Sequence, residues 1–125
     1  MCSILLVEDH YDTRQAFAAI LRSWGHDVAA SDSAATALKV LDERPVDVVV
    51  SDIGLPDRSG YELMHELSTT KGLRGIALSG FGMENDVSRA RAAGFSEHLT
   101  KPINFDRLDE AIQMLLAEAE PAIRS

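Results

Sequence analysis

Val46-Asp47-Val48-Val49-Val50-Ser51-Asp52-Ile53-Gly54-Leu55-Pro56-Asp57 is the stretch that decides the fold. Its β-branched run reads as a strand buried on both faces, the mark of a central parallel strand. Gly54 and Pro56 then announce a loop. A carboxylate, Asp52, therefore stands where a central strand empties into a loop, which is where open α/β sheets place their chemistry. Upstream, Ile4-Leu5-Leu6-Val7 ends in the same way, with Glu8 and Asp9.

Working outward from Asp52, short apolar runs alternate with segments of helical period. Strands are expected at Ser3–Val7, Asp27–Ala30, Asp47–Ser51, Gly75–Ser79 and Glu97–Leu99. Between them, Phe17, Ile20, Leu21 and Trp24 recur at helical spacing, as do Ala34, Leu38 and Leu41 in a second helix. Leu63, Met64 and Leu67 mark a third helix, and Phe105, Leu108, Ile112, Leu115 and Leu116 mark the last. Ser59 and Glu62 match a capping box that starts the third. A fourth helix, Glu84–Ala93, offers only Val87, Ala90 and Ala93 inward. So little apolar area makes it the least firmly anchored element and one able to move. Pro45, Pro56, Pro102 and Pro121 all fall in loops or past the last helix, as their missing N–H requires. Five strands alternating with five helices imply parallel pairing and a doubly wound α/β sheet covered on both faces.

The chain has 125 residues, enough for one domain with a substantial core. Its 46% apolar and 26% charged residues are ordinary for a globular protein, and a formal charge of −8 argues against nucleic acid as a direct ligand. One cysteine, Cys2, excludes an internal disulfide and fits a reducing compartment. No signal peptide or spanning segment is evident, so a cytoplasmic protein without membrane insertion is expected.

If strands one and three are neighbours, Glu8, Asp9 and Asp52 meet at their carboxyl ends. Like charges that close repel unless a cation neutralises them, and an oxygen-only cluster suits Mg²⁺. One carboxylate left free to attack would form an aspartyl-phosphate. Ser79, ending strand four before Gly80, and Lys101, following strand five, would bring a hydroxyl and an ammonium to the same edge. Together they can stabilise charge in phosphoryl transfer. A turn or a solvated loop would explain any one of these residues. Their shared placement at strand ends is what is specific.

Glu8-Asp9, Ser51-Asp52-Ile53-Gly54-Leu55-Pro56 with Gly60, Leu78-Ser79-Gly80 and Thr100-Lys101-Pro102-Ile103 resemble the receiver domains of two-component response regulators, over about Ser3 to Leu116. The resemblance implies a flavodoxin-like (βα)5 fold with strand order 2-1-3-4-5. It implies that Asp52 accepts a phosphoryl group from a histidine kinase or histidine phosphotransfer protein. It makes Asp9 the direct Mg²⁺ ligand, Glu8 an acid acting through water, and the Gly54 carbonyl a further metal oxygen. Ser79 would bond the phosphoryl group, Lys101 would form the ion pair, and the Lys101-Pro102 bond would be cis. Phosphorylation would then shift the face formed by helix four, strand five and helix five toward an unknown output protein.

Where many receivers carry an inward-swinging aromatic, this chain has His98, which either takes part in switching with Ser79 or faces solvent at the strand end. Gly54 offers no side chain to shield a phosphoryl group. Its position is that of the second acid in haloacid-dehalogenase-type phosphatases, which argues against an enzyme on outside substrates. Gly80-Phe81-Gly82 resembles a phosphate loop but has Asn85 for its third glycine and follows strand four, so a nucleotide binder is set aside. A degenerate receiver used only for protein binding is the alternative. The loop sequences look most like receivers associated with hybrid histidine kinases. The expected division is a receiver domain over residues 1–119 and a C-terminal tail over 120–125, either as a stand-alone protein or as a part of a longer one.

Overall fold

The structure, a computed structural model, describes residues 2–80 and 87–118. The elements run β1 (Ser3–Val7), α1 (Tyr11–Ser23), β2 (Asp27–Ser31), α2 (Ala34–Glu43), β3 (Val48–Asp52), α3 (Gly60–Lys71), β4 (Gly75–Ser79), α4 (Val87–Ala93), β5 (Phe95–Thr100) and α5 (Phe105–Glu118). All strand pairs are parallel, in the order β2-β1-β3-β4-β5. This is the flavodoxin-like arrangement expected from the sequence.

Both faces of the sheet are dry because strand side chains alternate between two separate cores. Ile4, Leu6, Val48, Val50, Ile76 and Leu78 pack with Phe17 and Leu21 of α1 and with Leu108 and Ile112 of α5. Leu5, Val7, Val49 and Ala77 point the other way, onto Ala34 and Leu41 of α2, Leu63, Met64 and Leu67 of α3, and Ala90 and Ala93 of α4. Each large side chain buried here contributes roughly 1.5–3 kcal/mol of transfer free energy.

Three strands differ at their ends from the sequence reading. β2 runs one residue further, to Ser31, whose carbonyl accepts the Glu8 N–H at 3.0 Å. β3 starts at Val48 and includes Asp52, which pairs with Leu78. β5 is twice the expected length: Phe95 is buried and pairs with Gly75, and an irregularity follows before Ile76 meets Glu97. A glycine preceding Phe95 hid that start. In α1, Ala18 is buried where Ile20 and Trp24 are only half-buried. α3 begins as the capping box requires, with the Ser59 hydroxyl accepting the Glu62 N–H at 3.2 Å. The first three positions expected in helix four, and the Gly80-to-Asn85 loop apart from Gly80, lie outside the described residues.

At the amino-terminal end of the sheet, the Cys2 N–H donates to His26 Nδ1 at 3.3 Å, and the Cys2 sulfur lies 3.4 Å from the same nitrogen. That bond assigns Nδ1 as the acceptor and the proton to Nε2. Burial holds the His26 pKa below its ordinary value and pushes the Cys2 thiol up.

Candidate functional site

The carboxyl ends of β1 and β3 are brought together by their register, in which Val7 partners Ser51. One residue beyond each partner stand Glu8 and Asp52. Glu8 is 1% exposed and Asp52 7%, while Asp9 is exposed. Ligand oxygens of Glu8, Asp9 and Asp52 lie within 4.8 Å of one another, so the three predicted acids do converge.

Both Glu8 oxygens are occupied. Oε2 accepts the His10 N–H at 3.1 Å, and Oε1 accepts from Lys101 Nζ at 2.6 Å. Burial nonetheless holds the Glu8 carboxyl above its ordinary range, helped by the Asp52 charge and only partly offset by those two bonds. Lys101 also donates to Asp52 Oδ2 at 3.2 Å. Burial alone would lower the Lys101 pKa, but the bonds to the two acids outweigh it and hold the ammonium above its usual value. The Lys101-Pro102 peptide is cis, as expected, and the Lys101 N–H donates to the Ser79 carbonyl at 2.8 Å, which ties the end of β5 to the end of β4.

Asp52 Oδ1 accepts the Gly54 N–H at 3.2 Å, and a tenth of the Asp52 side-chain surface stays open to solvent. The loop behind it folds tightly: the Gly60 N–H donates to the Ile53 carbonyl at 2.7 Å, and Gly54 bridges Ser59. A Cβ on Gly60 would lie 2.4 Å from the Asp52 carbonyl oxygen, so only glycine fits at that crossing. Ser79 is fully buried, and its hydroxyl is 3.0 Å from His98 Nε2. His98 is therefore turned toward β4 rather than simply standing in solvent.

Two residues at this edge were not singled out from the sequence. Arg14 on α1 donates to the Glu8 and Asp9 carbonyls at 3.0 and 3.3 Å, pinning the acid pair from behind. A basic residue one helical turn after a pair of acids is the only hint the sequence offers. Asp57, in the loop after β3, reaches the start of α2 and accepts from the Ala34 and Ala35 N–H groups at 3.0 and 2.9 Å.

Lys101 pairs with Glu8 and Asp52, and Arg14 reaches only the Glu8 and Asp9 carbonyls, so the Asp9 carboxylate has no bonded cation among these contacts in an oxygen-only cluster. A hard divalent cation matches both that charge and that donor set. Glu8 is the most deeply buried of the three and holds the shorter bond to Lys101, whereas Asp9 is exposed and Asp52 keeps an open side, so those two are the most accessible groups to hold it.

Comparison with known proteins agrees with this geometry. The response regulator receiver domain profile matches residues 4–113. The chain is 31% identical over 120 residues to the polar-differentiation response regulator DivK of Brucella ovis, covering 94% of this chain and 98% of that one. It is 32% identical over 120 residues to the transcriptional regulatory protein GlrR of Escherichia coli, covering 95% of this chain but only 27% of the relative. A receiver domain protein from Clostridium thermocellum superposes with a TM-score of 0.88 at 26% identity, covering 96% of this chain and 98% of that one. The chain belongs to the response regulator receiver family of two-component systems. Among the described residues, no helix is long and apolar enough to cross a membrane.

Proposed function

We propose that this receiver is a working phosphoacceptor: Asp52 takes a phosphoryl group from a phosphohistidine of a histidine kinase or phosphotransfer protein, with Mg²⁺ bound. The observation that carries the reading is the convergence of Glu8, Asp9 and Asp52 within 4.8 Å of one another, with the Lys101 ammonium bonded to Glu8 and Asp52. An Asp52 oxygen attacks phosphorus, the P–O bond forms as the P–N bond breaks, and the imidazole leaves with the bonding electron pair. Asp9 and Asp52, with the Gly54 carbonyl, are the residues to hold Mg²⁺, and Glu8 acts through water. The ion would screen the negative charge shared between carboxylate and phosphoryl oxygens. Lys101 keeps its proton throughout and is positioned to pair with a phosphoryl oxygen, and the Ser79 hydroxyl to donate to another. His98, bonded to Ser79, links that event to β5 and so to the face of α4, β5 and α5, where an output protein would read it.

The domain assignment, residues 1–119 with a tail over 120–125, a cytoplasmic setting and an association with hybrid kinases belong to the same reading. The chemistry on this view is confined to the protein's own phosphorylation and dephosphorylation. Intact-mass analysis after incubation with a small phosphodonor tests it. One phosphoryl adduct that needs both Mg²⁺ and Asp52, and is absent in Asp52→Ala, is expected. A folded protein that gains no adduct would instead be a degenerate receiver that works by binding alone.

A further inference from the structure

The loop between β3 and α3 leaves directly from Asp52, carries Gly54 two residues later, and is closed on itself at its base by the Gly54–Ser59 bridge. Its tip projects away from that base and meets α2. There Asp57 commits both carboxylate oxygens, Oδ1 to the Ala34 N–H and Oδ2 to the Ala35 N–H. These are the first two residues of α2, whose N–H groups have no partner within the helix. The third, Thr36, is satisfied locally by the Ser33 hydroxyl at 3.2 Å. The start of α2 is thus capped twice, once by its own chain and once by a residue more than twenty positions downstream. The next residue, Arg58, secures the other side of the tip, donating to Glu66 Oε1 at 2.9 Å and to the Glu62 carbonyl at 3.3 Å on α3.

The same short turn that Asp57 grips is bonded to the acid pair. The Ser31 carbonyl, three residues before Ala34, accepts the Glu8 N–H. A closed circuit of hydrogen bonds and chain therefore runs from Glu8 through Ser31 and the α2 N-terminus to Asp57, and along the loop through Gly54 to Asp52. Glu8 and Asp52 are the two halves of the site. Glu8 follows β1 and Asp52 ends β3, and this circuit fixes the loop that leaves Asp52, with Gly54 in it, relative to both at a distance from the chemistry.

We propose that Asp57 is a positioning residue of the acceptor site, holding the β3–α3 loop on α2 so that Asp52 and Gly54 keep their place beside Asp9. The inference rests on the Mg²⁺-dependent reading above. It separates Asp57 from an ordinary helix cap, which would steady α2 and nothing else. The ordinary cap is available for comparison in the same turn, because Ser33→Ala removes it without touching the loop.

The test is a Mg²⁺ titration of the ¹⁵N-labelled chain followed through its amide resonances, in wild type, Asp57→Ala, Asp57→Asn and Ser33→Ala. Without Mg²⁺, the Gly54 amide should already be displaced in Asp57→Ala and stay at its wild-type position in Ser33→Ala. On titration, Asp57→Ala should bind Mg²⁺ at least threefold more weakly than wild type. Asp57→Asn, which keeps one acceptor oxygen and loses the charge, should fall between them, and it serves alone should Asp57→Ala fail to fold. Wild-type Mg²⁺ affinity in the folded Asp57 variants, or an equal loss in Ser33→Ala, would overturn the inference. A wild-type chain that binds no Mg²⁺ would sink the phosphoacceptor reading instead. The position of the Gly54 amide would then decide the loop's anchoring on its own.

Discussion

Lys101 stands between two carboxylates, and its shorter bond goes to the more buried one, Glu8. Removing the ammonium strands that acid in the protein with one backbone donor left. Breaking a buried pair is costly, but a quarter of the Lys101 side chain is exposed and water can replace part of it. Lys101→Ala should therefore lose about 1–3 kcal/mol by urea unfolding at neutral pH, and Glu8→Gln added to it should recover part of that loss. At Gly60, the added methyl of alanine meets backbone, which cannot swing aside. Gly60→Ala should cost about 1–3 kcal/mol as an overpacked site does. It should also slow phosphorylation, because the atoms displaced belong to Asp52 and Ile53. His26 sets an acid limit. Its folded-state pKa lies below the unfolded value, so below about pH 6.5 the unfolded chain binds a proton that the folded one resists. Stability should fall as pH drops through that value, and a His26→Gln variant should show a shallower fall in urea midpoint between pH 7.5 and 5.5. Among the site residues, the acids and Lys101 were legible because each stands at or just beyond the end of a strand. The preference of Lys101 for Glu8 was not, since it joins residues 93 positions apart and depends on how deeply each acid is buried.

α5 and α4 flank the same strand with unequal grips. α5 buries Leu108, Ala111, Ile112 and Leu115 against the sheet. Leu108→Ala should cost about 2–5 kcal/mol in denaturant, the range for a large side chain deleted from a packed core. The described part of α4 spans Val87–Ala93, and the side chains described there bury only Ala90 and Ala93. Its ties among the described residues include Arg89 stacked 4.3 Å over the Tyr61 ring and the Ala93 carbonyl accepting from Ser68 at 3.2 Å. Both lead to α3 rather than into the sheet. Amide exchange in native conditions should accordingly run faster in α4 than in α1 or α3, and uniform protection across the three would contradict the weak anchoring. The small-residue stripe made this contrast visible in the sequence, as the β-branched runs did for the central strands. Edge strand β5 was harder. Ser96, Glu97 and His98 are polar and half-buried, so hydrophobic pattern marked only its middle. The loop-to-helix contact of Asp57 was invisible for a different reason: no local pattern reports a cap supplied from another part of the chain.

For the molecule as a whole, the excess of acid at one end of the sheet is expected to couple folding to divalent cations on the reading proposed above. A ligand that binds only the folded state stabilises it by RT ln(1 + [L]/Kd), about 1.4 kcal/mol at a tenfold excess over Kd. Mg²⁺ should raise the melting temperature by about 5 °C under those conditions, reversibly on chelation, and Asp9→Asn should abolish most of the shift. The parallel sheet also gives the molecule two unlike poles. Every residue assigned to the acceptor chemistry lies at the carboxyl ends of the strands. The opposite pole holds the turn at Gly72, which is exposed, closes α3 in a left-handed conformation at φ 66°, and has open space around it. One strand length, about 17 Å, separates the poles. A fluorophore, affinity handle or surface tether grafted at that turn would leave Asp52 facing outward. An immobilised sensor built this way would present the pole that carries Asp52 to a kinase in free solution.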